Sequence, residues 1–175
     1  SYTQTGGLQE LRDKISTHLS KTRKRDFEDV FVTSGTSGGI FLSILALVNP
    51  GDEVLITDPY FVMYKHLVNL VGGVPKFINT YPDFRLKADE IEKQITPKTK
   101  IMMLNSPNNP TGVVYSDDEL KIAAEIAKKH NLIIISDEIY DVFCYDHPYS
   151  SISEFYDKTL VLGGFSKSMA MTGWR

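Results

Sequence analysis

Two apolar runs that do not alternate with polar residues set the strongest limit on how this chain can fold. Residues 100–104 read KIMML, and residues 132–135 read LIII. Strands that are covered on both faces show such runs, whereas strands with one solvated face alternate. A helical pattern at residues 117–129, with Ser116 as its predicted N-cap, lies between them. Buried strands joined by a helix are typical of a parallel sheet with helices on both faces.

The same order of strand, turn and helix recurs along the rest of the chain. Apolar periodicity predicts further helices at residues 8–22, 40–48, 60–70 and 86–94, and further strands at residues 30–33, 53–57, 75–78 and 159–162. The sequence therefore predicts a three-layer α/β/α sandwich with a mostly parallel sheet. Because 42% of the 175 residues are apolar, we expect residues 1–175 to form one domain.

Charge and the rarer residue types argue against several classes of partner. The net charge is −3, and the longest basic stretch, KTRKR at residues 21–25, is predicted to lie at a solvated helix end. The single cysteine, Cys144, cannot form an internal disulfide, which fits a reducing compartment. The four histidines show no metal-binding spacing, and the apolar runs are too short to cross a membrane. We expect a cytoplasmic protein without a nucleic-acid, membrane or metal partner.

Ligands of open parallel sheets bind beyond the carboxyl ends of the strands, so the turns that follow the strands are the places to search. Five such turns carry polar or small residues: SGT at 34–36, PYF at 59–61, NSPNNPTG at 105–112, SDEIY at 136–140 and GFSK at 164–167. Taken alone, each has a plain structural explanation: Phe61 as a core residue, Asp137 as a cap, or Lys167 as a surface charge. Taken together, they predict one site at one edge of the sheet.

Three of these turns, in this order, carry a resemblance to a known family. NSPNNPTG, then SDEIY, then SK with an arginine eight residues after the lysine, resembles the large domain of class I/II aminotransferases. These are pyridoxal-phosphate enzymes of fold type I. The resemblance extends from Tyr2 and GGLQELR through NPGDEV to MTGWR. It implies that the cofactor is pyridoxal 5′-phosphate.

The resemblance also implies roles for the residues around the cofactor ring. Lys167 matches the lysine that forms a Schiff base with the cofactor aldehyde and later carries protons. Asp137 matches the carboxylate that keeps the pyridine nitrogen protonated. Tyr140 and Asn109 match the residues that hydrogen-bond the ring hydroxyl, and Phe61 matches the aromatic side chain that stacks on the ring. Lys167, Asp137 and Tyr140 are therefore the expected catalytic residues.

A second group of residues is expected, by the same resemblance, to bind the cofactor phosphate. Arg175 matches the arginine that forks onto the phosphate, and Tyr2 matches a tyrosine that reaches into the neighbouring subunit of a homodimer. Gly164 departs from the pattern, because many relatives have a phosphate-binding serine there, and Ser166 is a weaker substitute. The remaining expected phosphate contacts come from the start of a helix: Ser34, Gly35 and Thr36.

The function implied is the transfer of an amino group between an L-amino acid and a 2-oxo acid by a ping-pong mechanism. Two alternatives stay open: a lyase or synthase of the same fold, and an aminotransferase-like effector domain of a transcription regulator. The family also has a small domain and further sheet strands that residues 1–175 lack, so we expect these residues alone to be inactive.

Three further expectations follow from the resemblance. Gly35, Asn109, Asp137 and Lys167 should lie at one rim of the sheet, and the peptide bond between Asn109 and Pro110 is expected to be cis. One bacterial subgroup of aspartate aminotransferases has a lysine where this chain has Ser37. The neutral hydroxyl therefore favours aromatic, alanine-like or other neutral substrates over aspartate.

Overall fold

The computed structural model describes residues 4–174. Helices and strands alternate along the chain in the order α1 (Gln9–Thr22), α2 (Gly35–Leu47), β1 (Glu53–Asp58), α3 (Met63–Leu70), β2 (Val74–Asn79), α4 (Ala88–Glu92), β3 (Thr99–Asn105), α5 (Asp117–Lys129), β4 (Ile133–Asp137), β5 (Thr159–Leu162) and α6 (Phe165–Ser168). Two short 3-10 segments, Asp141–Phe143 and Ile152–Glu154, separate β4 from β5.

The strands of the described chain form one sheet in the order β2-β1-β3-β4-β5, and every neighbouring pair is parallel. Apolar residues cover both faces of this sheet. Leu55 of β1 belongs to the core on the side of α4 and α5, whereas its neighbours Val54 and Ile56 belong to the core on the side of α2 and α3. This alternation explains the uninterrupted apolar runs, and it confirms the predicted three-layer α/β/α fold.

Helix α5 begins where the sequence predicts, because its N-cap satisfies backbone groups in both directions. The Ser116 hydroxyl accepts from the backbone N–H of Glu119 at 3.4 Å, and the Glu119 carboxylate accepts from the backbone N–H of Ser116 at 2.8 Å. The same carboxylate accepts from the backbone N–H of Leu86 at 2.9 Å. Glu119 therefore fixes both the start of α5 and the segment that leads into α4.

Residues 30–33 were predicted to form a strand, and this prediction is wrong within the described chain. The backbone N–H of Val32 donates to Gly6 O at 2.9 Å, and Arg12 Nε donates to Val30 O at 2.6 Å. The β-branched residues favour extended backbone, but a strand also needs a hydrogen-bonded neighbouring strand. Here the turn near Gly6 and a side chain of α1 supply the partners instead.

Helix α2 begins at Gly35, five residues before the predicted start at residue 40. The sequence GTSGG is poor in intrinsic helix formers, which is why its pattern indicated a turn. Close packing explains the glycines, because a Cβ at Gly39 would lie 3.1 Å from the Leu162 side chain of β5. The first turns of α2 therefore run directly against the end of β5.

Two other helices are shorter than predicted. Helix α3 begins at Met63 rather than at residue 60, and α4 covers Ala88–Glu92 rather than residues 86–94. After α4 the backbone continues through i to i−3 hydrogen bonds, from Gln94 N to Ile91 O and from Ile95 N to Glu92 O. The helical periodicity of this segment is thus real, but its last turn is tighter than an α-helix.

The basic stretch at residues 21–25 was predicted to be solvated, and its central arginine contradicts this. Arg23 is only 4% exposed, and its Nε donates to Glu138 Oε2 at 2.8 Å. Its Nη2 donates to Asp141 Oδ2 at 2.5 Å. A buried guanidinium needs carboxylate partners, and these come from residues more than 100 positions away, which a local pattern cannot reveal.

Candidate active site

The predicted site residues lie at the carboxyl edge of the sheet, around the end of β4. In the sheet register, Asp137 at the end of β4 is the partner of Asn105 at the end of β3 and of Leu162 at the end of β5. The turns that follow these three strands carry Asn109, Tyr140 and Lys167. The expectation that these turns meet at one rim is therefore confirmed.

Asp137 is a buried acid whose hydrogen-bond partners are a phenol and a backbone amide. Asp137 is only 4% exposed, and its Oδ2 atom accepts a hydrogen bond from the Tyr64 hydroxyl at 2.7 Å. Oδ1 accepts from the backbone N–H of Ile139 at 3.2 Å. Burial raises the pKa of Asp137 above its ordinary value, although both donors oppose that shift. No cation among residues 4–174 pairs with it, so its negative charge is uncompensated.

Tyr64, on the first turn of α3, is a functional candidate that sequence reasoning missed. It is 2% exposed, and its ring meets the Phe61 ring edge-to-face with centroids 5.7 Å apart. Phe61 is half-buried and packs against the core beneath α2 and α3. The spacing of three residues was the available signal, because the predicted helix over residues 60–70 places both aromatic side chains on one face.

Asn105 is a second residue that the sequence analysis did not single out. Its Nδ2 donates to the Asp137 backbone oxygen at 2.9 Å, and its Oδ1 accepts from the backbone N–H of Asn109 at 2.7 Å. This buried amide ties the turn after β3 to the turn after β4 and so places Asn109. The peptide bond between Asn109 and Pro110 is cis, as predicted.

Tyr140 and Lys167 approach each other across the rim. The Lys167 Nζ atom lies 5.9 Å from the centroid of the half-buried Tyr140 ring, and the lysine side chain is exposed. Because Tyr140 follows β4 and Lys167 lies in α6 after β5, the two come from neighbouring strands. The Lys167 amine thus lies close to the turn that carries Asp137 and Tyr140.

The expected phosphate contacts at the start of α2 lie against the turn that leads into α6. Gly35 has a φ of 69°, which glycine adopts without cost, and the Thr36 hydroxyl donates to Gly163 O at 3.1 Å. A Cβ at Gly164 would lie 3.2 Å from Thr36 Oγ1 and 3.1 Å from Ile139 Cδ1. A side chain at 164 would therefore be crowded, which disfavours the serine that the resemblance would have placed there.

The remaining predicted phosphate residues are placed only in part. Ser34 is exposed immediately before α2, and Ser166 is half-buried within α6. Tyr2 and Arg175 lie outside the described residues, so their roles stay predictions.

Among residues 4–174, no group of three or more His, Cys, Asp or Glu side chains is arranged to hold a metal ion. The described helices include none that is long and apolar enough to span a membrane.

The comparisons with known proteins agree with this arrangement. The chain belongs to the family of class I and II aminotransferases, whose model matches residues 1–175. It is 42% identical to an aspartate aminotransferase of Sulfurisphaera tokodaii, covering 99% of this chain and 46% of that protein. The chain thus spans about half the length of the relatives it matches.

Solved structures agree as well. An aspartate aminotransferase single mutant of Thermus thermophilus superposes with a TM-score of 0.97 at 36% identity, covering all of this chain and 47% of the other. An aromatic aminotransferase of Pyrococcus horikoshii gives a TM-score of 0.95 at 38% identity and is covered over 49% of its length. The shared fold is that of enzymes which use pyridoxal 5′-phosphate.

The residues present fit this cofactor. A protonated pyridine nitrogen is the kind of cation that a buried, uncompensated carboxylate such as Asp137 lacks. The thirteen-residue helix α2 begins near this rim, and the start of such a helix stabilises a phosphate. Gly39 of α2 packs against the Leu162 side chain of β5, and Gly164 packs against the Thr36 side chain of α2, so α2 lies close to β5 and to the turn into α6.

Proposed function

We propose that the protein catalyses pyridoxal-phosphate-dependent transfer of an amino group between an L-amino acid and a 2-oxo acid. The observation that carries this proposal is the buried Asp137 carboxylate, which Tyr64 holds at the rim of the sheet beside Tyr140 and Lys167. When bound, the cofactor supplies an electron-accepting ring that stabilises negative charge at the substrate Cα.

In this proposal Asp137 binds the ring nitrogen and keeps a proton on it. Tyr140 and Asn109 would donate to the ring hydroxyl oxygen, and Phe61 would cover one face of the ring. Lys167 would hold the cofactor through its Nζ atom, and the same amine would carry a proton to or from the substrate Cα. Its exposed side chain has the freedom for that movement.

We assign the phosphate to the start of α2, where Ser34, Gly35 and Thr36 would supply donors, with Ser166 as a lesser contact. Arg175 would add a bidentate contact, and Tyr2 would reach the phosphate of a second subunit. We further propose that residues 1–175 form the greater part of a large cofactor-binding domain. The active protein would be a cytoplasmic homodimer, which the single Cys144 and the family relationship support.

The experiment uses the full-length protein loaded with pyridoxal 5′-phosphate and a panel of L-amino acids with 2-oxoglutarate. Amino transfer converts 2-oxoglutarate to glutamate in equal amount to the new 2-oxo acid. A lyase would instead consume the amino acid without any 2-oxo acid acceptor. An effector domain would bind the cofactor and turn over neither substrate, and either result would overturn the proposal.

For the substrate class, we propose amino acids with aromatic or other neutral side chains. Ser37 is exposed in the first turn of α2 and offers only a neutral hydroxyl where one subgroup of aspartate aminotransferases has a lysine. Ser37→Lys should selectively raise kcat/KM for aspartate, whereas Ser37→Met, which adds bulk without charge, should not. A wild type that already prefers aspartate and is unchanged by the lysine would refute this assignment.

A further inference from the structure

Arg23 is a buried arginine that the mechanism above does not use. It lies at the C-terminal end of α1, a helix in which no residue is itself buried. Its guanidinium donates from Nε to Glu138 and from Nη2 to Asp141, at 2.8 and 2.5 Å. The side chain thus reaches out of the helix and into the turn that follows β4.

The two carboxylates that Arg23 binds are sequence neighbours of Asp137 and Tyr140, the two residues of that turn that are proposed to contact the cofactor ring. Glu138 follows Asp137, and Asp141 follows Tyr140. The turn is closed by a hydrogen bond from Asp141 N to Glu138 O at 3.0 Å. Because a guanidinium is planar and its donors have fixed directions, one side chain sets the spacing between the two ends of the turn.

A third contact extends the network to the turn that follows β3. The Arg23 guanidinium carbon lies 5.0 Å from the centroid of the Tyr149 ring, and the Tyr149 hydroxyl donates to Ser106 O at 3.1 Å. Ser106 follows Asn105, the residue whose side chain places Asn109. Arg23 therefore contacts, directly or through Tyr149, both turns whose residues are predicted to contact the cofactor ring.

The cluster around Glu138 is fully paired. Besides Arg23, its carboxylate accepts from the Ser136 hydroxyl at 2.9 Å and from the Ser151 hydroxyl at 2.6 Å. Burial lowers the pKa of Arg23, but the nearby Glu138 and Asp141 outweigh this effect and raise it. Buried ion pairs seldom stabilise a fold more than apolar residues of similar size would, so stability alone is a weak reason for this arrangement.

We propose that Arg23 is a positioning residue for the cofactor site, because its guanidinium holds the two turns that carry Asp137, Tyr140 and Asn109. The inference rests on the proposed function, since it assigns Arg23 a role toward the same cofactor. It requires that changes at Arg23 alter cofactor binding in protein that is still folded.

The test compares full-length wild type with Arg23→Met, Arg23→Lys and Arg25→Met. Arg25 is a matched control from the same basic stretch: it donates to Ser153 O at 2.7 Å and stacks on Phe27, but has no contact with the turn after β4. Each apo protein is titrated with pyridoxal 5′-phosphate well below its Tm. The readouts are the Kd and the pH dependence of the visible absorption of the bound cofactor.

We expect Arg23→Met to raise the Kd at least tenfold and to shift the pH dependence of the absorption. Arg23→Lys keeps the charge but loses the two fixed donor directions of the guanidinium. Its Tm should therefore stay nearer that of wild type, while its Kd for pyridoxal 5′-phosphate still rises. Arg25→Met should leave both cofactor readouts unchanged. If both Arg23 variants fold and bind the cofactor as wild type does, the positioning role is refuted.

Two further results of this experiment also decide between the proposals. If Arg23→Met does not fold, Asp141→Asn serves instead, because this side chain is 23% exposed and its loss leaves the pair with Glu138 intact. It should raise the Kd, and an unchanged Kd would overturn the inference. If wild type itself fails to bind pyridoxal 5′-phosphate, the proposed function is wrong, which is a different result from equal binding by wild type and variants.

Discussion

The Tyr64 hydroxyl donates to Asp137 Oδ2 at 2.7 Å, although the two residues lie 73 positions apart in the chain. Burial and the neighbouring Asp137 charge raise the pKa of Tyr64 well above its ordinary value, so the phenol is always a donor. A donor that cannot ionise favours the carboxylate form of its partner. Tyr64 thus opposes the rise in the pKa of Asp137 that burial causes.

Replacing this hydroxyl should weaken the site without changing the packing. In Tyr64→Phe the pKa of Asp137 should rise further, because one of its two donors is gone. We expect the Kd for pyridoxal 5′-phosphate to rise about tenfold, the size of one hydrogen bond to a charged group. Titration of the apo protein at neutral pH measures this change.

Tyr156→Phe provides the matched control. The Tyr156 hydroxyl donates to Leu132 O at 2.7 Å, immediately before β4 and therefore at the opposite end of that strand. The substitution removes the same hydroxyl group from a tyrosine that is half-buried. A similar loss of cofactor affinity in both variants would show that Tyr64 acts through general stability rather than through Asp137.

Asp137→Asn should stabilise the apo protein at neutral pH while it weakens cofactor binding. The pKa of Asp137 is raised by burial, so its contribution to stability is complete below the unfolded pKa of about 3.9 and is lost as the pH rises through the folded value. The Tm of the variant should therefore exceed that of wild type by a few degrees at pH 8. The difference should shrink toward pH 4.5.

Asp83→Asn should behave in the opposite sense. Asp83 is exposed and accepts from Lys87 at 2.8 Å, which holds the pKa of its carboxyl below the ordinary value. Its contribution to stability is present at neutral pH and lost on acidification, and screening keeps it small.

For Asp137→Asn the contrary outcome is a Tm at pH 8 below that of wild type. This result would contradict the assignment of an uncompensated buried charge to Asp137.

Gly164→Ala should destabilise the protein by about 1–3 kcal/mol, the usual cost of overpacking. The new Cβ would crowd Thr36 Oγ1 and Ile139 Cδ1, at 3.2 and 3.1 Å. Gly163→Ala is the control, because a Cβ there would meet no atom within 4 Å. Denaturant unfolding of both variants measures the difference, and equal stabilities would exclude crowding as the reason for glycine.

Lys167→Arg should abolish covalent attachment of pyridoxal 5′-phosphate and lower amino transfer roughly 100- to 10,000-fold, as expected when a general base is lost. The substitution keeps the charge near Tyr140. Borohydride reduction followed by mass spectrometry identifies the labelled residue. Lys158→Arg, at another exposed lysine, should retain the label, and labelling of a lysine other than Lys167 would disprove the assignment.

The elements that local pattern predicts well are those whose signals lie within one segment. The capping box of α5 and the apolar runs of β3 and β4 are examples, because a cap or a covered strand is encoded by adjacent residues. The carboxyl rim was also predictable, since parallel strands bring their ends together.

The rest depends on partners far away in the chain. Arg23 looked like a solvated residue because Glu138, its partner, is 115 positions away. Tyr64 and Asn105 looked like ordinary helix and turn residues, since the Asp137 carboxylate and the Asp137 backbone oxygen that they bind lie at the end of another strand. Residues 30–33 have strand propensity, but the described chain offers them no strand to pair with.

The contact between Thr36 and Gly163 spans 127 residues, and its consequence concerns the order in which the protein acquires its structure. Closing so long a loop is costly in chain entropy, and parallel pairing without local hairpins makes folding slow. We therefore expect the rim at the start of α2 to form only after β5 has joined the sheet. Cofactor capture should be among the last events of refolding, and added pyridoxal 5′-phosphate should slow unfolding without speeding folding.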